Sequence, residues 1–378
     1  MKIGIITHYY NSTNYGGNLQ AYALCKFLEM HGYEAEQISY DKSGERFLTS
    51  KMRISVCHKI ASKLKNLPNR LRNRKIKDQI LIRSRKILTF NQESIPHSSK
   101  VYSRNSIPAA NEIYDVFITG SDQVWHPKAV CGAYLLDFAD ASKKKLSYAA
   151  SLSVDHLPAE YSAAYSQALS SFDAVSVREQ DAVPLVQTLS SVPVRWVLDP
   201  VFLLTREQWS QFGKKRKREK PYVFCYFLGH DPKHRDLANA YANARRMEVV
   251  TMPYLSGKFH ICDQGFGNLQ IFEADPTDFV SLIRNADCIF TDSFHVTAFS
   301  VIFEKQFFVF GRSGFPAMGS RICSILSLVN ANDRFFPDTS RLSNTDLLTE
   351  KEITWDNSKL KDMIKASSDF LLRSAQLP

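Results

Sequence analysis

Five times in its first two hundred residues the chain runs through a short, mostly aliphatic stretch and meets a polar loop at once. Lys2–His8 leads into a loop containing Asn14-Tyr15-Gly16-Gly17-Asn18, and Val116–Thr119 into Gly120-Ser121-Asp122-Gln123. Lys145–Ala150 precedes Ser151, Ala174–Val177 precedes Arg178-Glu179, and Arg195–Leu198 precedes Asp199-Pro200. Runs that do not alternate polar with apolar suit strands buried on both faces of a parallel sheet. Between them lie stretches at helical spacing: Leu19–His31, closed by Gly32 where a helix cap belongs, and Ser162–Phe172. With Tyr33–Ser39 as the next strand, the opening forty residues predict the βαβ start of a doubly wound α/β domain. Such sheets place ligands beyond the carboxyl ends of their strands, where the Gly, Ser, Asp and Arg residues stand here.

The alternation restarts beyond Lys214–Pro221, a polar stretch closed by proline. Tyr222–Phe227, Glu248–Met252, Cys288–Thr291 and Gln306–Phe310 are predicted strands, and His234–Arg246, Thr277–Ala286 and Thr297–Ile302 predicted helices. The division expected is residues 1–213 as a first α/β domain, 214–221 as linker and 222–350 as a second α/β domain. Residues 351–378 carry a helix, Ser358–Leu372, able to cross back onto the first domain. A cleft between the domains is the default ligand site.

Charge is local. The chain carries 48 Lys and Arg against 38 Asp and Glu, a net +10. Thirteen of the cations lie between Lys51 and Lys86 with one acid, Asp78, so that window is +12 and the remainder −2. A field for nucleic acid is therefore a poor explanation, and no nucleic-acid partner is expected. The segment, about 51–90, reads as amphipathic helices interrupted at Pro68 and lying outside the core. Its pattern serves equally a solvated insertion or a surface for anionic lipid or lipid-linked phosphate. Seven scattered cysteines without zinc spacing read as core residues in a reducing compartment, and no metal site is expected. The aliphatic start is too short for a signal peptide, and no window approaches the ~20 apolar residues of a membrane span. A cytoplasmic protein is predicted, with the basic segment as a peripheral contact to the inner membrane face.

Several strand ends carry chemistry. Gly16-Gly17-Asn18 exposes backbone N–H groups at a helix start, an anion cradle or simply a tight turn. It lacks a P-loop lysine and the G-x-G-x-x-G spacing, which disfavours an NTPase or a simple NAD enzyme. Ser121, Asp122 and Gln123, with Trp125, His126 and Ser151, offer hydrogen bonds and a ring for a sugar, with Asp122 as base. The same Asp also suits a helix cap. Arg178 is placed to grip phosphate or carboxylate, or to pair with a neighbouring helix. His295, in Thr291-Asp292-Ser293-Phe294-His295, faces the cleft as proton donor or phosphate contact, or is structural.

The ordered set NYGGNLQAYAL, FITGSDQVWHP, SYAASLS, SVREQ, VLDPVFLL, FTDSFHVTAFSVIF and GSRICSIL, from about Tyr15 to Arg321, resembles the polysaccharide pyruvyltransferase family. The resemblance implies two Rossmann-like domains similar to the GT-B glycosyltransferase fold, with the ligand cleft between them. It also implies transfer of the pyruvyl group of phosphoenolpyruvate, a donor substrate rather than a cofactor, onto a sugar as a ketal. The acceptor implied is a galactose-type hexose of a capsular or exopolysaccharide precursor, such as an undecaprenyl-diphosphate-linked oligosaccharide. Carried over, His295 matches the histidine of the family's Arg-Leu-His motif and Arg178 its first-domain arginine, while Ser293 and Phe294 replace the motif's Arg and Leu. Arg321 or Arg312 is expected to replace the missing cation. Phosphoenolpyruvate is then assigned to Arg178, His295, Ser293, Arg321, Gly17 and Asn18, and catalysis to His295 and Asp122. A nucleotide-sugar glycosyltransferase and an inactive member with an assembly role stay open as alternatives, and oligomeric state is not written in the sequence.

Overall fold

The computed structural model describes residues 1–45, 67–214, 220–255, 259–312, 319–343 and 345–376. In the first domain β1 (Lys2–Ile6), β2 (Glu34–Gln37), β3 (Val116–Thr119) and β4 (Lys144–Ser147) form a parallel sheet in the order β2-β1-β3-β4. A parallel pair, β5 (Val175–Val177) and β6 (Val194–Trp196), continues this layer through bridges from Leu146 to Ala174 and from Ala150 to Val177. In the second domain β7 (Tyr222–Tyr226), β8 (Glu248–Thr251), β9 (Leu269–Gln270), β10 (Cys288–Thr291), β11 (Gln306–Phe310) and β12 (Phe335–Phe336) are ordered β12-β11-β10-β7-β8-β9, all parallel. Both are doubly wound, with strand order reversing beside β1 and β3 in one sheet and β7 and β10 in the other. Every residue of β3, β7 and β10 is buried, as their aliphatic and aromatic runs require.

Helix α1 (Tyr15–Met30) begins four residues before the helix read from the sequence. Asn14 caps it, its side chain accepting from the Gly17 N–H, so Gly16 and Gly17 form the first turn rather than a preceding loop. Gly32, at φ +82°, follows the His31 cap and supplies the left-handed residue that ends the helix.

The basic segment departs further from expectation. Leu67–Ser94 is one continuous helix, α2, with Pro68 in its first turn, where a missing N–H costs nothing. The first part of the predicted segment, residues 51–66, lies outside the described residues. The far half of α2 is not outside the core: Ile87 and Phe90 are buried, and so is Arg83. Its guanidinium donates to the carbonyls of Pro253 (2.7 Å), Ile271 (3.0 Å) and Phe272 (2.7 Å) in the second domain. A cation expected to lie outside the core is thus a strut between domains.

One apolar cluster runs through both domains. Trp209, fully buried, meets Phe299 edge-on at 4.9 Å and packs against Phe212 and Tyr22. The C-terminal helix (Ser358–Ala375) packs on the first domain, where the Ser367 hydroxyl accepts from the Leu198 N–H at 2.9 Å. Of the predicted linker, 215–219 lie outside the described residues, while Lys214 pairs with Asp275 and Asp278. Among the described residues no helix is long and apolar enough to cross a membrane.

Candidate active site

The two points of strand-order reversal face each other, and the loops beyond β1, β3, β7 and β10 enclose a cavity of about 180 Å³. Asn14, Tyr15 and Gly16 come from the start of α1, Asp122 and Gln123 from the end of β3, and Leu228 from the end of β7. Ser293, Phe294 and His295 come from the start of the helix Phe294–Ile302, with Arg312 and Arg321 beside them. A larger, mostly apolar hollow of about 390 Å³ lies between α2 and the second domain around Leu269 and Leu282, and it holds none of these groups.

Asp199 is the electrostatic centre behind the cavity. Fully buried, it accepts from Arg178 Nη1 at 2.8 Å and Ser121 Oγ at 3.2 Å through Oδ2, and from the Val201 N–H at 3.2 Å through Oδ1. His295 Nε2 stands 3.7 Å from the same Oδ2. Burial alone would raise the Asp199 pKa, but the facing His295 and Arg178 outweigh it and hold the carboxyl well below its usual range. Asp122 is treated similarly: burial opposes ionisation, while Arg178 and His295 win and lower its pKa. Both acids are therefore ionised at neutral pH.

The cations differ in how they are met. Arg178 faces Asp199 (2.8 Å), Asp122 (3.4 Å) and Glu179 (3.8 Å), so its charge is compensated. Arg321, also buried, donates Nη1 to the neutral Ser153 hydroxyl at 3.2 Å, and its buried Nε has no hydrogen-bond partner. Burial, then the charge of Arg178, pushes its pKa down to about 9. Both guanidiniums lie over the Phe294 ring, at 4.5 Å and 5.4 Å. Phe294 is thus a plate that two cations share, a role that a leucine cannot fill.

Among the residues expected to hold donor, His295, Arg321 and Ser293 line the cavity, and Arg178 stands just behind it. Ser293 is buried and offers no charge, while its N–H is taken by Thr291 Oγ1. Gly17 and Asn18 do not line the cavity. The Gly17 N–H is used by the Asn14 cap, and Asn18 is fully buried with Nδ2 on the Ser12 carbonyl, so the expected anion cradle at these two residues is a helix cap. Gly16 is the glycine that matters: a Cβ there would lie 2.0 Å from His295 Nδ1.

On the acceptor side, Asp122 and Gln123 reach the cavity and the others do not. Trp125 is fully buried, donates Nε1 to the Tyr134 carbonyl at 3.1 Å and packs edge-on to Phe172, so it has no face to offer a sugar. His126 Nδ1 accepts from the Lys128 N–H outside the cavity, and Ser121 and Ser151 are fully buried behind it. The aromatic rings that do line the cavity are Tyr15, Tyr226, Tyr254, Phe279 and Phe294, with Tyr15 stacked on Phe279 at 4.7 Å.

Two site residues escaped the sequence reading. Asp199 stands in the strand end Leu198-Asp199-Pro200, where the sequence by itself marks no role. His8, at the end of the first aliphatic run, bonds Gln123 O through Nε2 at 3.2 Å and Lys42 Nζ through Nδ1 at 3.3 Å. Burial and then Lys42 lower its pKa, so it is neutral and carries its proton on Nε2.

The family model for polysaccharide pyruvyl transferase matches residues 14–314, most of the chain. The UDP-GlcNAc 2-epimerase of Methanocaldococcus jannaschii is similar in fold, with a TM-score of 0.57 at 12% identity over 99% of both chains. A putative UDP-N-acetylglucosamine 2-epimerase of Listeria monocytogenes gives 0.53 at 10% identity, covering 99% of this chain and 91% of that one. No curated protein matches the chain. These likenesses carry the fold alone: two Rossmann-like domains in the GT-B manner, with the cavity at their junction.

Proposed function

We propose that this chain, which belongs to the polysaccharide pyruvyl transferase family, moves the pyruvyl group of phosphoenolpyruvate onto a galactose-type hexose of a capsular or exopolysaccharide precursor. The observation that carries the reading is the Asp199–His295 pair set against Arg321 at the junction of two strand-order reversals. A donor with one phosphate and one carboxylate needs cations that can be approached, and Arg321 and Arg312 line the cavity.

The chemistry assigned to the residues is a sequence of proton movements. His295, held by the ionised Asp199, gives a proton to the methylene carbon of the donor, which becomes a methyl group beside an oxocarbenium-like centre. One sugar hydroxyl adds to that centre and yields its proton to Asp122. A second hydroxyl then displaces phosphate, which leaves with the last proton as the cyclic ketal closes. Arg321 and Arg312 offset the charge on the departing phosphate. The sugar ring lies against the aromatic wall of Tyr15, Tyr226 and Tyr254, in place of Trp125. A lipid-linked acceptor at the inner membrane face would be met by the cations of residues 51–90 other than the buried Arg83, each contributing ~1 kcal/mol at an anionic surface.

The test is phosphate release from phosphoenolpyruvate by the purified protein, with and without galactosides and lipid-linked oligosaccharides, and the mass of the product. Acceptor-dependent release with pyruvate added to the sugar is expected. Absence of release, together with thermal stabilisation by UDP-sugars and none by phosphoenolpyruvate, would replace this reading with a nucleotide-sugar enzyme.

A further inference from the structure

Glu179 lies outside the cavity, 2% exposed, yet a chain of hydroxyls joins it to the cavity wall. Ser151 Oγ donates to Glu179 Oε1. Ser151 and Ser153 share a hydrogen bond of 2.8 Å between their hydroxyls. Ser153 Oγ receives Gln123 Nε2 at 3.0 Å and Arg321 Nη1 at 3.2 Å. Gln123 and Arg321 both line the cavity, the first from the first domain and the second from the second.

The direction of every bond follows from what each group can do. A guanidinium and an amide NH₂ only donate, so Ser153 accepts from both. The single hydroxyl proton of Ser151 goes to the carboxylate, so that of Ser153 goes to Ser151. All donors in the chain point toward Glu179. Two hydroxyls thus stand between a buried guanidinium and a buried carboxylate. Arg321 stays anchored by one N–H, and its Nε is left buried without a partner beside the cavity.

We infer that Glu179 is a positioning residue, which sets Arg321 and Gln123 on the anionic group of the donor through Ser151 and Ser153. The inference rests on the reading that an anion occupies this cavity, and it assigns the contact to Arg321 rather than to Arg178. Arg178 already faces three carboxylates, and an entering anion would have to compete with them. At Arg321 it would compete, among the described residues, with one hydrogen bond to a serine and with the more distant charges of Glu179 and Asp122, neither of which pairs directly with the guanidinium.

The experiment is calorimetric titration of inorganic phosphate and, separately, of phosphoenolpyruvate into the full chain and its variants R321A, S153G, E179Q and the double variant R321A/S153G. Glycine is chosen at 153 because Ser153 sits at φ +52°, a conformation that glycine adopts without strain. Phosphate binding is expected to weaken about tenfold or more in R321A and about tenfold in S153G and E179Q, with melting temperatures of S153G near that of the parent. S153G is expected to add nothing once Arg321 is gone, because it acts through that residue; a merely structural serine would weaken both backgrounds alike. Parent-like phosphate affinity in R321A, in S153G or in a folded E179Q, or no phosphate binding by the parent, overturns the inference; S153G carries the test if E179Q fails to fold. Phosphate bound as described while phosphoenolpyruvate is not would leave the positioning chain standing and overturn the donor assignment alone.

Discussion

His295 and Asp199 meet across the domain boundary, imidazole Nε2 3.7 Å from carboxylate Oδ2. Neither domain holds the pair by itself. The histidine stands at the start of the helix following β10, and the aspartate follows β6 in the other sheet. A proton donor and the anion that orients it are thereby assembled only when the domains are docked, and the shared apolar core around Trp209 and Phe299 keeps them docked.

Asp199→Asn keeps the shape and removes the charge that Arg178 and His295 face. Breaking a buried pair from one side costs about 3–5 kcal/mol. Turnover is expected to fall by at least about 10²-fold, as when a general acid loses its orienting partner. The pH sign follows from the lowered pKa of Asp199: its stabilisation is fully present above the ordinary value of 3.8 and is lost as pH falls from there through the depressed folded value. Denaturant unfolding between about pH 5 and about pH 2 should therefore be steeper in the parent than in D199N. Equal slopes would remove Asp199 from this role.

Gly16→Ala and Gly17→Ala separate a contact from a propensity. A Cβ at 16 would fall 2.0 Å from His295 Nδ1, whereas one at 17 would come no closer than 3.4 Å, to Asp122 Oδ2. Alanine favours helix over glycine by about 1 kcal/mol at both positions. G16A should displace the imidazole and cost activity out of proportion to stability, while G17A should leave activity near the parent's and raise stability by up to about 1 kcal/mol. Comparable kcat values for the two variants would contradict the close approach.

What the sequence made legible was the set of strand ends, because a strand buried on both faces has to be a continuous apolar run and the loop after it has to be polar. Asp122, Gln123, Arg178 and His295 were found that way. Orientation was not legible. Trp125 and Gln123 are two residues apart on one loop, yet the tryptophan turns into the core and the glutamine toward the cavity. Asn18 read as an anion contact because a glycine loop and a capped first turn share the same residues. Arg83 was hidden by its neighbours: in a run of cations nothing marks the one that will be buried against three carbonyls of another domain. Asp199 was hidden by distance, since its partners lie 21 and 96 residues away along the chain.

Arg83→Ala tests the interdomain strut. It removes three charge-assisted bonds to the carbonyls of Pro253, Ile271 and Phe272 and the guanidinium beside the Tyr15 ring, 5.8 Å from its centroid. Such bonds contribute about 1.5–3 kcal/mol each, and three on one group do not add in full, so a loss of about 3 kcal/mol is expected. Tyr15 lines the cavity, so donor affinity should fall as well. Arg83→Lys keeps the charge but not the three-carbonyl fork, and should recover little of either. Unfolding in urea and donor titration check both, and a fully active, fully stable R83A would mean that the domains dock without the strut.

His234 is 2% exposed, stacked on Phe310 at 4.7 Å, and burial pushes its pKa down from 6.5 to about 4. As pH falls below 6.5 the unfolded chain takes up a proton that the folded imidazole refuses, so stability is lost between 6.5 and about 4 and no further below. At roughly 1.4 kcal/mol per unit the loss approaches about 3 kcal/mol. His8, lowered by burial and by Lys42, acts in the same sense. His234→Phe places a ring of similar volume between Phe227 and Phe310 and carries no proton to refuse. Its unfolding free energy should vary less than the parent's between about pH 7 and about pH 4, with the difference growing as pH falls. Parallel profiles would locate the acid sensitivity elsewhere, and His8→Gln would then be the variant to compare.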